Sequence, residues 1–260
     1  MSGQALSVQI FNLARRSVVR TLRQPAMVIP ALVFPMLLFS IQSGGLGAAA
    51  QIPGFPADTY RDFVFTFPLI QGALFGATTA GANFARDIEG GFFNRLSLTP
   101  IRPVGLLAGL LSGVVALGLI QGTFYVAAGL AWGVHIKSGF LGALVLIVFT
   151  ALVALGFGGV GATLALRTGS GEAVQSFFPV FFATIFFSSI NLPRDLIEAD
   201  WFRTIATLNP ISYLIEGIRS LIITGWDTQA LILGFGCAFA LIALGLAGAA
   251  ASLRTRMERT

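Results

Sequence analysis

The sequence has few of the residues from which most metal sites and catalytic sites are built. Its 260 residues include one cysteine, one histidine and one lysine, and only 10% of them are charged. Because Cys237 is the only cysteine, an internal disulfide and a multi-cysteine metal site are both excluded. Cys237 lies within an apolar run. His135 has no second histidine or carboxylate at ligand spacing, which favours a loop or interfacial role over metal binding. We therefore expect no metal site in this chain.

Apolar residues, by contrast, are abundant. The chain is 55% hydrophobic, with 24 phenylalanines and 31 glycines. This composition is too apolar for a soluble domain of this length and predicts an integral membrane protein that forms one compact bundle. The net charge of +5 could suit nucleic acid, but the basic residues stand at the ends of apolar runs and form no patch with aromatic residues. We expect no nucleic-acid partner.

Six apolar runs are long enough to be considered as transmembrane helices, because a crossing needs ~20 mostly apolar residues. The fifth run is the shortest. The predicted fold is an all-α membrane domain of residues 25–252, with spans at about 25–42, 63–84, 103–133, 139–166, 174–190 and 229–252.

The residues before the first span predict an amphipathic helix over residues 1–24. Arg16, Arg20 and Arg23 recur at spacings of three and four, and apolar residues such as Leu13 cover the opposite side. This pattern is typical of a helix that lies in the membrane interface with its arginines near anionic head groups. An ordinary cytosolic helix is the alternative, whereas a cleavable signal peptide would have a shorter basic region.

The charges of the connecting segments predict the orientation, since Lys and Arg are retained on the cytoplasmic side. With both termini inside, the cytoplasmic segments hold eleven basic and four acidic residues, a net charge of +7. The outer segments hold five basic and seven acidic residues, a net charge of −2. We therefore predict that both termini are cytoplasmic and that residues 253–260 form a basic cytoplasmic tail.

The cytoplasmic connection between the second and third spans reads RDIEGGFFNRLSLTP, residues 86–100. Gly90 and Gly91 interrupt the apolar periodicity, and Pro100 and Pro103 stop a helix before the next span. The segment is interpreted as a short interfacial element with a charged front and an apolar back. A solvated loop with incidental charges is the alternative.

A second informative segment, residues 191–228, precedes the last span. Pro193 begins one helical pattern and Asn209-Pro210 begins another, with Asn as the N-cap and Pro at the first helical position. Gly225 marks the predicted end of the second helical pattern. Glu216 and Arg219, three residues apart, are close enough to pair. The pattern predicts a hairpin that dips into the outer leaflet or, alternatively, an extracellular helical cap.

Taken together, these segments resemble those of a known family. The chain has an amphipathic first helix, six spans, RDIEGGFFNRLSLTP in the first cytoplasmic loop and WFRTIATLNPISYLIEGIRSL before the last span. In these features it is similar to the type-2 ABC exporter permeases, in the daunorubicin-resistance-like branch of bacterial drug and lipid exporters. The resemblance covers nearly the whole chain, and NPISYLIEGIR is its most specific part.

The resemblance implies roles for three groups of residues. A coupling helix of residues 86–99 would sit in a groove of a separate ATP-binding subunit, through Arg86, Asp87, Glu89, Arg95 and Leu96. The 193–223 hairpin would form a re-entrant outer gate that includes Asn209, Pro210, Tyr213, Glu216 and Arg219. The path of the solute would be lined by Gln71, Phe75, Phe178, Phe181, Phe182 and Phe186. These phenylalanines could equally face lipid or serve packing.

The resemblance also implies partners and a location. Two cytosolic ATP-binding-cassette subunits would carry ATP and Mg, a second permease chain, identical or different, would face this one, and this chain would hold no cofactor. The complex would move a hydrophobic or amphiphilic solute, such as a drug, lipid, glycolipid or polysaccharide, across a bacterial cytoplasmic membrane among its lipids.

A negative observation supports this division of labour. A Walker A loop needs a lysine after its glycines to hold the phosphates, and Lys137 in HIKS has no such glycine frame. The chain is therefore predicted to be a non-catalytic subunit that draws its energy from a partner.

Two other classes of function are weighed against this one. An ion-coupled carrier or channel would place carboxylates or histidines at mid-span, whereas the polar residues of these spans are mainly uncharged. A membrane enzyme acting on lipid could use Asp195, Glu198 and Asp200, but no histidine lies near them in the sequence, and a solvated helix face explains them better.

Overall fold

A computed structural model describes residues 4–91 and 103–257, and the regular elements in those two ranges are all helical. Short 3-10 turns cover Gly47–Gln51 and Arg194–Leu196. The α-helices are α1 (Gln4–Leu22), α2 (Pro25–Gly45), α3 (Tyr60–Val64), α4 (Thr66–Glu89), α5 (Pro103–Ala131), α6 (Gly139–Thr168), α7 (Gly171–Ser176), α8 (Phe178–Phe186), α9 (Asp200–Leu208), α10 (Pro210–Ile223) and α11 (Thr228–Met257).

Among the described residues, five helical segments are long and apolar enough to cross a bilayer. They coincide with the first, second, third, fourth and sixth predicted spans, and the second is built from α3 and α4 with a break at Phe65. The predicted all-helical, multi-pass class is therefore confirmed. α11 continues through Met257, so the first residues of the predicted basic tail are helical.

The fifth predicted span, residues 174–190, is not one helix. α7 ends at Ser176 and α8 begins at Phe178, with Phe177 between them. Pro179, in the first turn of α8, has no N–H to donate, and its ring would collide with the carbonyl of Gln175 in a continuous helix. Within the described ranges the bundle thus has five long apolar helices and one short, broken apolar segment.

α6 lies between α4 and α11, in contact with both along glycine seams. A Cβ added to Gly161 would lie 2.0 Å from the carbonyl oxygen of Ala77 in α4. A Cβ added to Gly159 would lie 2.8 Å from the carbonyl carbon of Gly245 in α11. Small residues at these crossings allow close backbone contact, which stabilises helix pairs where lipid removes the hydrophobic drive between helices.

A gap in the backbone hydrogen bonds of α2 is filled by side chains of α5. Pro35 cannot donate a hydrogen bond to the carbonyl of Ala31, so that carbonyl is left without its usual helical partner. The hydroxyl of Tyr125 and the amide of Gln121, at 3.4 Å, donate to it instead. Gly72 of α4 gives space to the Tyr125 ring, since a Cβ there would lie 2.4 Å from a ring carbon. One buried contact therefore joins α2, α4 and α5.

The segment before the last long helix differs from its prediction at one end and agrees at the other. Only a 3-10 turn follows Pro193, and the first helix of the hairpin, α9, begins at Asp200. The second helix begins at Pro210 as predicted, with the Asn209 carboxamide accepting from the N–H of Ile211 at 3.0 Å. It ends before Gly225, whose φ of +99° suits glycine.

Candidate functional site

Arg86, Asp87 and Glu89, which were predicted to open a coupling helix, form the last turn of α4. The helix ends after Glu89, and Gly91 has a φ of +64°, a conformation that glycine adopts without strain. These three residues continue the long helix instead of starting a separate one. Arg95 and Leu96 lie outside the described residues.

The three charged residues of this turn have different surroundings. Arg86 and Glu89 are exposed, whereas Asp87 is only 3% exposed. The Arg86 guanidinium donates to the side-chain oxygen of Gln24 at 2.7 Å, in the short link between α1 and α2. Arg86 and Glu89 are therefore accessible at the surface, while Asp87 faces this chain's own first helix.

Asp87 holds two arginines of α1. Its Oδ1 accepts from Nη2 of Arg16 at 2.9 Å and from Nη1 of Arg20 at 2.6 Å. The two arginines stand one helical turn apart and so reach the same point. A buried carboxylate needs such partners, because an unpaired charge away from water is costly. Arg16 and Arg20 thus bind a carboxylate, where the sequence suggested lipid head groups. We call this group the Asp87 clamp.

α1 also contacts the start of α5, on the other side of the connection that follows α4. Ser17 donates to the carbonyl oxygen of Leu110 at 2.6 Å. Gly113 is the reason that the helices approach so closely, since a Cβ there would lie 2.5 Å from the Ser17 hydroxyl. Val8 and Phe11 of α1 remain 56% and 67% exposed. α1 therefore touches both helices that flank the predicted coupling segment.

The end of the bundle that carries α1 also carries the ends of α6 and α11. Arg167 donates to the hydroxyl of Ser252 at 3.3 Å, and Arg256 donates to the carbonyl oxygen of Leu166 at 3.1 Å. We call this end of the bundle the basic end, and we call the opposite end, which carries α9 and α10, the hairpin end.

At the hairpin end, Asn209 joins α10 to the end of α8. Its amide nitrogen donates to the carbonyl oxygens of Thr184 at 2.7 Å and Phe187 at 3.0 Å, while its side-chain oxygen caps α10. Pro210 occupies the first turn, where its missing N–H costs nothing. Asn209 and Pro210 therefore fix where the second hairpin helix starts and what it leans on.

Arg219 is the most deeply buried cation at this end. It is 7% exposed, and its guanidinium donates to the carbonyl oxygens of Ser189 at 2.9 Å, Ile190 at 3.0 Å and Phe63 at 3.4 Å. The guanidinium carbon also lies 3.6 Å from the centroid of the Phe63 ring, which is cation–π geometry. Arg219 thus ties α10 to α3 and to the segment after α8.

Glu216 pairs with Arg194, and the predicted pairing with Arg219 is wrong. Nη2 of Arg194 donates to Oε2 of Glu216 at 2.5 Å, and the hydroxyl of Ser189 donates to Oε1 at 3.1 Å. The Arg194 guanidinium lies 4.8 Å from the centroid of the Tyr213 ring. Three of the predicted gate residues, Tyr213, Glu216 and Arg219, are thus held in place by residues that the sequence did not single out, namely Arg194, Ser189 and Phe63.

The chain's three tryptophans lie at the hairpin end and are exposed. The exposed fractions are 53% for Trp132, 63% for Trp201 and 54% for Trp226. Tryptophan is enriched where a bilayer meets water. This distribution indicates that the hairpin end reaches the membrane interface.

The predicted path residues fall into three environments. Phe178 and Phe182 of α8 stack 5.9 Å apart between ring centroids, and Phe178 lies 5.4 Å from Phe75 of α4. Phe186 continues this row, 5.0 Å from Phe182. Phe181 turns instead toward Phe157 of α6, at 6.4 Å. We call the row of Phe75, Phe178, Phe182 and Phe186 the phenylalanine row.

Gln71 is separate from that row. Its side chain is fully buried, and neither its amide oxygen nor its amide nitrogen has a hydrogen-bond partner among the described residues. It therefore does not line an accessible surface in this conformation. Phe67, 6.1 Å from Phe186, extends the row and was not predicted.

Fold and site together define a polytopic, all-helical membrane protein with a clamped, charged helix end on one side and a buttressed helical hairpin on the other. Residues 8–223 match the family model described as ABC-2 type transporter, and the chain belongs to that family. It is thus the membrane subunit of a transporter, and membership implies an ATP-binding-cassette partner.

Three relatives carry the same description, putative transport permease ycf38. That of Pyropia yezoensis is 30% identical over 224 residues, which cover 84% of this chain and 75% of the relative. That of Porphyra purpurea is 29% identical over 228 residues, with coverage of 86% and 78%. That of Cyanophora paradoxa is 26% identical over 219 residues, with coverage of 82% and 73%.

Proposed function

We propose that this chain is the permease subunit of an exporter that moves a hydrophobic or amphiphilic solute out of the cytoplasm of a bacterium. Two ATP-binding-cassette subunits carrying ATP and Mg supply the energy, and a second permease chain completes the path. Within the family, the motifs quoted above favour the daunorubicin-resistance-like branch. The observation that carries the coupling part of the proposal is the α4 terminus, where Arg86 and Glu89 are exposed beside the buried Asp87 clamp.

The clamp suggests how force from the partner reaches the bundle. The ATPase subunit contacts Arg86 and Glu89 together with the following segment, which contains Arg95 and Leu96. A push on that segment displaces the end of α4 and the start of α5. Because α1 is bonded to both through Asp87 and Leu110, the three helices move as one body. Closure of the ATPase pair is thereby converted into a tilt of the permease half.

In this proposal the basic end faces the cytoplasm. The segments assigned there carry a net charge of +7 and those at the hairpin end −2, which follows the positive-inside rule. The exposed tryptophans at the hairpin end then mark the outer interface.

The broken α7–α8 segment is proposed as the sixth crossing. Its start lies beside the basic end of α4, where a Cβ on Gly171 would lie 3.4 Å from Ala85. The residues that follow it reach Arg219, which donates to the carbonyl oxygens of both Ile190 and Phe63. Along a helix, Phe63 to Ala85 corresponds to about 33 Å at ~1.5 Å per residue, close to the ~30 Å hydrocarbon core.

The phenylalanine row is proposed to line the solute path. The face of α8 that this chain leaves open includes Val180, 57% exposed, and Phe186, 39% exposed. A second permease chain facing α8 would enclose an aromatic route between the two subunits. Such a lining suits apolar or amphiphilic cargo better than ions.

The coupling proposal is tested with Glu89→Arg in the complex purified in native lipid. Arginine in the last turn suits the helix dipole, so the variant should leave α4 intact. Reversing an interfacial charge should weaken retention of the ATPase subunit by about tenfold and lower its ATP hydrolysis accordingly. Glu198→Arg makes the same change at an exposed position of the hairpin end and should alter neither.

Two results would contradict the proposal. Equal losses in Glu89→Arg and Glu198→Arg would show that the effect is not local to the α4 terminus. Wild-type protein that is stable and free of any ATPase would move the ion-coupled carrier to first place.

A further inference from the structure

Two clefts open side by side at the hairpin end, separated by residues 194–197. The first, which we call the charged cleft, has a volume of about 590 Å³ and is lined by Arg194, Asp195, Arg203, Glu216 and Asp227 among others. The second, the apolar cleft, has a volume of about 600 Å³, and its lining includes Ile52, Leu192, Leu196, Ile197 and Phe202. Asp195 and Arg203 line both, so the two clefts form one surface with a polar half and an apolar half.

The helix beside these clefts has the pattern of a helix that lies at the membrane interface. α9 exposes Trp201, Ile205 and Leu208, at 63%, 41% and 77%. These residues follow a helical spacing and form one apolar face. An amphipathic helix with tryptophan and leucine on its apolar face lies at the boundary between head groups and acyl chains. The clefts are thus at the depth where a phospholipid has its head group and the first part of its chains.

Some charges in the charged cleft are already paired, and others have bonding capacity left. Arg194 is neutralised by Glu216. Arg203 donates through Nε and Nη2 to the carbonyl oxygen of Ile197, at 2.9 and 2.5 Å, and its Nη1 lies 3.5 Å from Oδ1 of Asp200. A guanidinium has five N–H groups, so donors remain on this half-exposed side chain.

The acidic side of the cleft is supplied by exposed carboxylates. Oδ1 of Asp227 accepts from the N–H of Ala230 at 3.1 Å and caps α11, which leaves Oδ2 as an acceptor. Asp195 adds a second exposed carboxylate. A purely anionic head group would meet these carboxylates, whereas a head group with both a phosphate and an ammonium group matches both signs.

We propose that the two clefts bind one zwitterionic phospholipid of the surrounding leaflet. Its phosphate lies at Arg203, its ammonium group lies at Asp227, and one acyl chain lies in the apolar cleft beside Leu196 and Phe202. The bound lipid fills the space between α9 and the body of the bundle. It thereby fixes the position of α9 relative to α10.

The test is lipid retention by the purified, delipidated complex, measured by native mass spectrometry during titration with phosphatidylethanolamine. We expect one phosphatidylethanolamine molecule to bind per chain, and to bind more tightly than phosphatidylglycerol does. Asp227→Asn and Arg203→Gln should each weaken the binding of phosphatidylethanolamine by about fivefold or more, which is the scale of one charge-assisted contact. Asp227→Asn should also remove most of the preference over phosphatidylglycerol.

Matched variants separate binding from folding. Asparagine is a good N-cap, so Asp227→Asn keeps the cap of α11 and changes only the charge. Ile52→Asn tests the apolar cleft and should weaken lipid binding without changing the head-group preference. Lys137→Gln removes an exposed charge of the same end, one that pairs with Asp58 and lines neither cleft, and should leave binding unchanged.

Three outcomes would overturn the proposal. Asp227→Asn and Arg203→Gln could retain phosphatidylethanolamine as the wild type does, phosphatidylglycerol could displace it equally well, or glycerophosphoethanolamine, which has no acyl chains, could compete at the same concentration. None of these readouts requires ATP hydrolysis, so failure here is distinguishable from failure of the exporter proposal.

Discussion

The two ends of the bundle hold their charges in different ways. At the basic end, one carboxylate binds two arginine side chains, and those arginines are 41% and 23% exposed. At the hairpin end, the buried Arg219 binds three backbone carbonyl oxygens from two separate segments. Arg16 and Arg20 keep access to water and can be solvated once Asp87 is neutralised, whereas the carbonyls that Arg219 binds would be left buried and unpaired without it. The comparison teaches that a buried cation holds the hairpin end together, whereas at the basic end a buried carboxylate with partly exposed cations joins α1 to α4.

The largest effect is expected from Arg219→Leu. The change leaves the carbonyls of Ser189, Ile190 and Phe63 without their donor in a buried site, so the free energy of unfolding should fall by about 3 kcal/mol or more. Thermal and denaturant unfolding in detergent measures this. Lys137→Leu, which removes an exposed ion pair at the same end, should cost about 1 kcal/mol or less. Equal losses would mean that the hairpin end is not held by Arg219.

The seam that connects the two ends should respond next most strongly. In Gly245→Ala the new methyl group would lie 2.8 Å from the carbonyl oxygen of Gly156, and the variant should lose about 1–3 kcal/mol of stability through overpacking. Gly236→Ala, in the same helix, meets nothing within 4 Å and should gain up to about 1 kcal/mol from helix propensity. Stability changes of opposite sign in the two variants support close packing at the seam between α6 and α11, and changes of the same sign contradict it.

A smaller stability effect, of about 1–2 kcal/mol, is expected for Asp87→Asn. The two arginines remain close to water, so the helix is released without unfolding the bundle. Hydrogen exchange of α1 should become faster while that of α10 is unchanged. A double-mutant cycle with Arg20→Gln should give a coupling energy of at least about 0.5 kcal/mol. A coupling energy of zero would show that Asp87 and Arg20 do not stabilise each other.

Local signals in the sequence predicted much of the fold. Asn209, Pro210 and Gly225 mark the bounds of α10 because a side-chain cap, a missing N–H and a positive φ are properties of single residues. Pro193 misled because a proline at a turn does not by itself start a helix. The break at Phe177 was missed, although Pro179 was its signal.

The long-range contacts could not be predicted in the same way. Asp87 is 71 and 67 residues away from the arginines that it binds, and nothing in the local pattern distinguishes it from an exposed carboxylate such as Glu89. Glu216 had a cation three residues away, but the partner that it takes is Arg194. Spacing on one helix permits a pair, while packing between segments decides it. The one available clue was the four-residue spacing of Arg16 and Arg20, which suits a shared acidic partner.

The central claim, that α1 and the end of α4 move together when the ATPase subunits close, has a direct measurement. Spin labels are placed at Arg23 and Gly90, the exposed residues that directly follow α1 and α4, after Cys237 is replaced by alanine. They report the distance between the two helices in the complex by electron resonance. With Asp87 intact, that distance should be the same in the nucleotide-free and ATP-trapped states, and in Asp87→Asn it should change or broaden on trapping. A distance that changes equally with and without Asp87 would contradict the account.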